Sequence, residues 1–486
     1  MAIVPDDLRC VAARFPDRVA LRVHRPDLRV DTMTFAEWDG ASDAYAHTLV
    51  EKRAVEPGDR VMLHLPAAEA RTFAVAYFAA HKAGAIVVPV NPRYARREVE
   101  HIIANSEPRV IVREPIPLEA GAPFQVSIEP GAVADILYTS GTTGLPKGVA
   151  STHENVLANS AAPLEREARL LQSIPLATAF GSYGAMLMAL RFALTNVALP
   201  VFDPRRFAAL IGEERPGWVL MVPAHALLLL ETDALERVDT SSVRMLLYGS
   251  APMPPHAIEA LAVAFPRAML FNGYGLTEGG GSACTLPPGE ALRRPGSVGK
   301  PVDGVRLRIV DDDACEVPAG AVGEVTIKLA AGQRSYWNDP EATARTWRDG
   351  WVQSGDLGYV DDDGYLYLVD RKKDLIVRGG YNVFSIEVEH AVGEHPDVAE
   401  VAVLGVPHPV LGQDVCAIVR LKDGALTLTR DALRGFLVDR LADYKQPRHL
   451  VLWVDPLPRS GMQKVDKRAL LDALSRTADG YTRQRP

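Results

Sequence analysis

Residues 138–148, Tyr138-Thr-Ser-Gly-Thr-Thr-Gly-Leu-Pro-Lys147-Gly148, gather hydroxyl side chains, three glycines and one lysine in a single run. Glycines let backbone N–H groups approach an oxyanion closely, hydroxyls donate hydrogen bonds and the lysine adds charge, which together make a polyphosphate cradle. The run does not fit the G-x-x-x-x-G-K-[ST] phosphate loop, and taken alone a Gly/Thr-rich stretch is more often only a polar loop. A second pair emerges by counting. Residues 361–364, Asp-Asp-Asp-Gly, read as a hairpin turn. With Asp363-Gly364 as a two-residue turn, Asp356 falls opposite Arg371, unless a bulge at Gly358 shifts the register. That pair is either a plain cross-strand ion pair worth ~0.2–1 kcal/mol or a charge pair that meets a ligand.

The elements that hold these groups read as α/β. A helix is expected over 67–83, from Pro66 to Gly84, followed by an apolar strand at 85–90. Helix followed by buried strand recurs at 254–265 with 268–271, and again from Phe207 to 218–222, the alternation of a layered, mostly parallel sheet. The apolar run 134–137 is a strand leading into the cradle. From about residue 296 short strands with turn signals take over, at 305–310, 323–329, 358–360 and 365–369. A compact α+β unit then follows, with strands at 398–406, 415–421 and 449–454. Its helices are a stripe of Leu433, Phe436, Leu437 and Leu441 and a last one over 465–473. The expected boundary lies between domains 1–372 and 373–486, joined by one charged crossover at Lys373.

Composition narrows the function. The 486 residues suggest about three domain-sized units. A hydrophobic content of 48% with 23% charged residues is that of a globular, not a disordered, chain. A net charge of −8 without a like-charged block disfavours nonspecific nucleic-acid binding. Cys10, Cys284, Cys315 and Cys416 are dispersed, with no metal-ligand spacing, which argues against zinc and against a disulfide framework. The start turns acidic too early for a signal peptide, and the apolar stretch 73–90 is broken by His81-Lys82 and Gly84. The reading is a cytoplasmic protein with no membrane span.

The cradle, Tyr274-Gly-Leu-Thr277-Glu278, Ser354-Gly-Asp356, Asp370-Arg371-Lys-Lys373-Asp374 and Pro458-Arg-Ser-Gly-Met-Gln-Lys464 occur in one order. In that order and spacing the chain resembles, from Phe35 to about Leu474, the adenylate-forming enzymes: acyl- and aryl-CoA synthetases, peptide-synthetase adenylation domains and luciferases. It is closest to acyl-CoA synthetases. The resemblance implies a large N-terminal domain of layered αβα subdomains with a small β-barrel-like part, and a small mobile α+β C-terminal domain. The implied reaction is ATP-dependent conversion of a carboxylic acid to acyl-AMP with release of pyrophosphate, then transfer to CoA. A carboxylate resists nucleophiles because it is anionic and its oxygen leaves badly; a mixed anhydride with AMP removes both obstacles.

The resemblance also implies roles. Thr139, Ser140, Gly141, Thr142, Thr143 and Lys147 would cradle phosphates, Thr277 would donate to the α-phosphate, and Glu278 would hold Mg²⁺. Gly249, Ser250, Ala251, Asn272 and Gly273 would line the adenine and acyl pockets, with Tyr274 stacked on adenine. Asp356 would take the ribose hydroxyls with Arg371 in support. Lys464 would bridge carboxylate and α-phosphate, with Lys467 as runner-up, although the family's usual glycine before that lysine is Gln463 here. Lys373 would be the hinge that brings the strand of Gly379 and Gly380 to the site for thiol attack; the family's usual proline there is Ser385.

The acid pocket departs most from the family. Its aromatic-His pair is replaced by Ala177 and Thr178, and Gly181 stands where amino-acid-activating relatives carry Asp. Thr178, Phe180, Gly181, Tyr183, Gly279 and Gly280 imply an apolar, glycine-rich wall and a hydrophobic acid. The acceptor is CoA or a carrier protein's thiol; a second copy of the chain is a further candidate partner. Two rivals stand beside the ligase: an adenylase that hands acyl-AMP to a separate acceptor, and a nucleotide-binding scaffold without turnover.

Overall fold

The computed structural model describes residues 2–139, 145–158, 166–329, 332–425, 427–459 and 464–476. The chain forms two compact units, Met1–Leu307 with Thr326–Ser354, and Arg308–Val325 with Gly355–Pro486.

The first unit carries two sheets. One runs in the order Ser335–Tyr336, Lys147–Thr152, Val133–Thr139, Ile86–Pro89, Arg60–Leu63, Val110–Val112, parallel except where the first three strands meet. In the other, the parallel run Met269–Leu276, Met245–Gly249, Trp218–Met221, Arg169–Gln172, Thr195–Ala198 and Val19–His24 is edged by antiparallel strands. A single core joins them: Ala20 and Val23 of the larger sheet and Val61 and Val87 of the smaller one pack through helices Phe35–His47 and Ala70–Lys82. The expected helix at 67–83 is a 3₁₀ turn, Ala67–Glu69, followed by Ala70–Lys82. Every residue of that helix but Arg71 is buried, as expected of a largely apolar helix between layers. Its buried Lys82 is paired with Asp39 at 2.6 Å and Asp43 at 2.7 Å, as a buried charge requires.

In the second unit, strands Tyr381–Val383, Ile376–Arg378, Gly412–Leu421 and Val398–His408 form an antiparallel sheet, with His449–Leu452 added parallel to Gly412–Leu421. Strand Gly412–Leu421 is buried on both faces. Val415, Ala417 and Val419 meet helices Ser385–Gly393 and Arg430–Leu437, while Cys416 and Ile418 meet Leu470 and Leu474 of helix Lys467–Arg476. That two-sided burial follows from the strand's period of two. No helix among the described residues is long and apolar enough to cross a membrane.

The hairpin Trp351–Val360/Leu366–Arg371 sets Asp356 opposite Arg371 as expected, by a different route. Its loop has three residues, with Asp361 N–H bonded to the Tyr365 carbonyl and the Asp361 side chain accepting from Asp363 and Tyr365 N–H. This puts Val360 opposite Leu366 and Gly358 opposite Leu368. A bulge at Leu357/Gly358 then passes over Val369 and restores the counted register, Leu357 to Asp370 and Asp356 to Arg371. The longer loop and the bulge cancel.

Candidate active site

The first cluster is built at the edge of the smaller sheet. Thr139 and Lys147 are register partners across strands Val133–Thr139 and Lys147–Thr152, and they flank the rest of the cradle in the chain. Its Ser140, Gly141, Thr142 and Thr143 lie outside the described residues. The short strand Ser335–Tyr336 pairs with Val149 and Ala150 and delivers Tyr336 beside Lys147. Lys147 Nζ lies 5.2 Å from the centre of the Tyr336 ring and 3.8 Å from Asp339; Asp339 also caps helix Pro340–Thr346. Glu278 completes the group: its Oε1 accepts from the Tyr336 hydroxyl at 2.8 Å and from Thr139 Oγ1 at 3.5 Å. Burial and the Glu278 charge hold the Tyr336 phenol well above its usual range, so it stays a donor.

Glu278 owes its position to glycine. Strand Met269–Leu276 ends in the 3₁₀ turn Thr277–Gly279, closed by Gly280 N–H on the Thr277 carbonyl at 2.9 Å. Gly280 has φ +73° and Gly281 φ +120°, conformations that side chains resist. Thr277 is buried in the same turn.

Gly249 and Gly273 are the last register partners of the parallel pairing between strands Met245–Gly249 and Met269–Leu276, the edge where open α/β sheets bind ligands. A Cβ on Gly249 would stand 2.5 Å from the Gly273 carbonyl oxygen. Ser250, next in the chain, is held at φ +73°, a strain that clusters at binding sites, and it leads into the half-buried Ala251. Tyr274 is buried. Asn272 is committed to the fold, its amide donating to the Ser297 carbonyl at 2.9 Å.

The expected acid wall divides. Thr178 does not offer its hydroxyl to a substrate: Oγ1 donates to the Pro175 carbonyl at 2.9 Å and accepts from Gly181 N–H at 3.0 Å, capping the turn that begins the helical segment Phe180–Leu187. Gly181 does not open room either, because a Cβ there would lie 2.0 Å from the Pro175 carbonyl oxygen; the glycine serves close backbone packing. Phe180 packs against a small apolar core. Tyr183 donates to Asp135 at 3.0 Å.

That contact opens onto residues the sequence did not flag. Asp135, fully buried, also accepts from Tyr77 at 2.7 Å and from His81 Nε2 at 3.1 Å. Beside it lies Arg334, 3% exposed, donating from Nε to Ser151 at 2.9 Å and from Nη2 to the Asn155 carbonyl at 3.1 Å. Its guanidinium rests on the bare Cα of Gly280. Tyr336, Asp339 and Arg334 all lie far along the chain from the cradle. The only sequence signal was Asp339-Pro340, a helix-start pair.

In the second unit Asp356 is buried and its Oδ1 lies 2.9 Å from Arg371 Nε, the arginine being 44% exposed. Lys373 sits exposed in the turn 372–374 between strands Leu366–Arg371 and Ile376–Arg378. Its neighbour Lys372 is paired with Asp312 at 2.8 Å and Glu324 at 3.3 Å. Gly379 and Gly380, at φ +59° and +86°, make the next turn. Lys464 is half-buried and precedes Val465, which bridges to Arg459. Lys467 is internally satisfied, 2.7 Å from Glu389 and 2.6 Å from Ser385 Oγ. Burial pulls its pKa down, but Glu389 and Asp370 outweigh that and raise it.

Among the described residues no three acidic, His or Cys side chains converge as a metal cage. The donors around Glu278 are oxygens, and one carboxylate with hydroxyl neighbours fits a hard cation that arrives with a polyphosphate and keeps its other ligands.

The family model for the AMP-binding enzyme matches residues 8–126 and 114–337, and that for the AMP-binding enzyme C-terminal domain matches 387–464. The chain is 32% identical to the long-chain-fatty-acid–CoA ligase FadD13 of Mycobacterium tuberculosis, over 92% of this chain and 94% of that protein. It is 33% identical to the fatty acid–[acyl-carrier-protein] ligase ScoC of Streptomyces coeruleorubidus, over 91% of each. The ATP-bound crystal structure of MatB from Rhodopseudomonas palustris superposes with a TM-score of 0.85 at 28% identity, covering 98% of this chain and 100% of that one.

Proposed function

Because the chain belongs to the AMP-binding enzyme family, we propose a division of labour among its residues for the chemistry of an adenylate-forming acid–CoA ligase. Joining an acid to CoA is what the relatives named long-chain-fatty-acid–CoA ligase, feruloyl-CoA synthase and indoleacetate–CoA ligase share. The proposed substrate is a carboxylic acid with a largely apolar body, activated by ATP to acyl-AMP and passed to the thiol of CoA.

The observation that supports the assignment is the convergence of Thr139 and Tyr336 on Glu278, with Lys147 beside the Tyr336 ring. A cation at 5.2 Å from the Tyr336 ring and 3.8 Å from a carboxylate is poised to exchange those weak partners for phosphate oxygens. Glu278 would hold Mg²⁺, which supplies charge neutralisation on the triphosphate when bound. Thr277 donates to the α-phosphate, and the base lies over the end of the parallel pairing at Gly249 and Gly273, against Tyr274. Asp356 accepts from the ribose hydroxyls, with Arg371 as its support. Lys464 neutralises the approaching carboxylate and phosphate during adenylation. The exposed turn at Lys373 serves as the hinge between domains 1–372 and 373–486, with Gly379 and Gly380 on the strand that meets the thiol.

A second acceptor is favoured by one relative, ScoC, named for ligation to an acyl-carrier protein; the pantetheine thiol is the same nucleophile. Pyrophosphate release over an acid panel, with and without CoA, followed by mass analysis of products, tests both. Acyl-CoA is the expected product. Acyl-AMP that accumulates until a carrier protein is added supports the second acceptor, and silence with every acid refutes adenylation.

A further inference from the structure

Arg334 is a buried cation with an unused donor. A guanidinium has five N–H groups. Nε serves Ser151 and Nη2 serves the Asn155 carbonyl, while Nη1 has no partner among the described residues. No carboxylate among the described residues makes an ion pair with it. A buried charged donor left unsatisfied is costly, and nothing in the local fold demands an arginine: the two bonds made hold only the end of strand Lys147–Thr152 and the helix that follows.

Its surroundings say what the donor faces. The guanidinium lies on Gly280, where a Cβ would come within 1.9 Å of Nη2 and 2.4 Å of Nη1. Gly280 is two residues beyond Glu278, and Tyr183 stands on the other side, joined to Arg334 through Ser151. Arg334 therefore sits within the wall proposed for the acid, between its glycine turn and its aromatic helix.

Charge balance selects the ligand. Asp135 is the anion that faces this cluster, and its field reaches Arg334. Tyr77 and Tyr183 stay protonated, held far above the usual phenol range by burial and by Asp135. His153 stays neutral, its pKa lowered to about 3 by burial and by His81. A substrate carboxylate brought to Nη1 would have to be stripped of water beside the buried Asp135, whereas a neutral acceptor satisfies Nη1 without burying another charge.

We infer that Arg334 is a specificity-determining residue whose Nη1 donates to a neutral oxygen on the acid, so that the substrate is an oxygenated aryl or an oxo- or hydroxy-acid rather than a bare hydrocarbon. This rests on the adenylation reading and refines its substrate class.

The test is ATP-dependent pyrophosphate release by the full chain with matched pairs: 4-hydroxycinnamate against cinnamate, and hydroxy- and oxo-octanoates against octanoate. In the wild type at least one oxygenated acid should exceed its partner in kcat/KM by about 10–100-fold, the range of a hydrogen bond from a charged donor. Arg334→Met should bring that ratio to within about threefold of unity, and Arg334→Lys should restore part of it. Gly280→Ala, which pushes the guanidinium aside without removing it, should collapse the ratio too, and stands in if the methionine variant fails to fold. Wild-type ratios near unity for every pair overturn the inference while leaving adenylation intact. So does an Arg334→Met variant that slows both members of a pair alike, because it then acts on the activated carboxylate or on the fold. Silence with every acid overturns adenylation and this inference together.

Discussion

Replacing Asp356 by alanine separates two roles that the same 2.9 Å contact could serve. If the Asp356–Arg371 pair is only a cross-strand tie, its loss is cheap. Arg371 is 44% exposed and rehydrates, so after screening the pair is worth about 0.2–1 kcal/mol. The melting temperature should then fall by no more than about 2–4 °C for a unit of this size. If Asp356 takes the ribose, the loss is large. Each hydrogen bond to a charged acceptor contributes about 1.5–3 kcal/mol. Two at the low end make about 3 kcal/mol, or about 100-fold in affinity. The assay is an ATP titration of pyrophosphate release, repeated with 2′-deoxy-ATP. Wild type should discriminate between the nucleotides by about tenfold or more, and Asp356→Ala should bind ATP weakly and no longer distinguish them. An unchanged ATP affinity, or an undiminished preference for the ribose 2′-hydroxyl in the variant, would refute the ribose assignment and leave a structural ion pair.

Lys464→Ala should lower the adenylation half-reaction by about 10²–10³ while leaving thioester formation from synthetic acyl-AMP much faster than adenylation; equal losses in both steps would remove Lys464 from its role. Lys467→Ala should instead cost stability, about 1–3 kcal/mol from taking a buried cation away from Glu389 and Ser385, readable as a lower denaturant midpoint. Gly249→Ala should destabilise the first unit by about 1–3 kcal/mol and raise the ATP KM, because its Cβ has 2.5 Å to a backbone oxygen that cannot swing away. For pH, His153 accepts the Val4 N–H at 3.2 Å and must be neutral to do so. Its pKa is depressed to about 3, chiefly by burial. The unfolded chain therefore takes up a proton below pH ~6.5 that the folded one refuses, and stability drops by up to about 1.4 kcal/mol per pH unit between there and pH ~3. Equilibrium unfolding across that window should lose this slope in His153→Gln.

Legibility followed the range of the interaction. Helix Ala70–Lys82, strands Val305–Val310 and Gly323–Leu329 and the apolar run 415–421 of strand Gly412–Leu421 were readable because their burial is written in adjacent residues. A bulge at Gly358 was raised from the sequence, but the three-residue loop that offsets it was not readable, since it depends on the Asp361 side chain competing for backbone N–H groups. Glu278 and Lys147 stood out by motif. Tyr336 and Asp339, which hold them, did not, because a sheet-edge pairing between Tyr336 and Val149 is invisible to any local pattern.

Thr178 and Gly181 show where chemistry-first reading overreaches. Both were read as pocket-forming because they replace larger residues of the family. Yet a small residue makes space only if nothing else fills it, and here the Pro175 carbonyl occupies the position of the missing Gly181 side chain and takes the Thr178 hydroxyl as a donor. Gly280 is the opposite case: its missing side chain is filled by the Arg334 guanidinium, a group that can itself bind. On the reading proposed above, the acid wall is shaped less by enlargement than by exchange, with the space at Gly181 filled by a backbone carbonyl and a buried donor placed at Gly280. A pocket changed in that way should be selective for where an oxygen sits on the acid more than for how long the acid is.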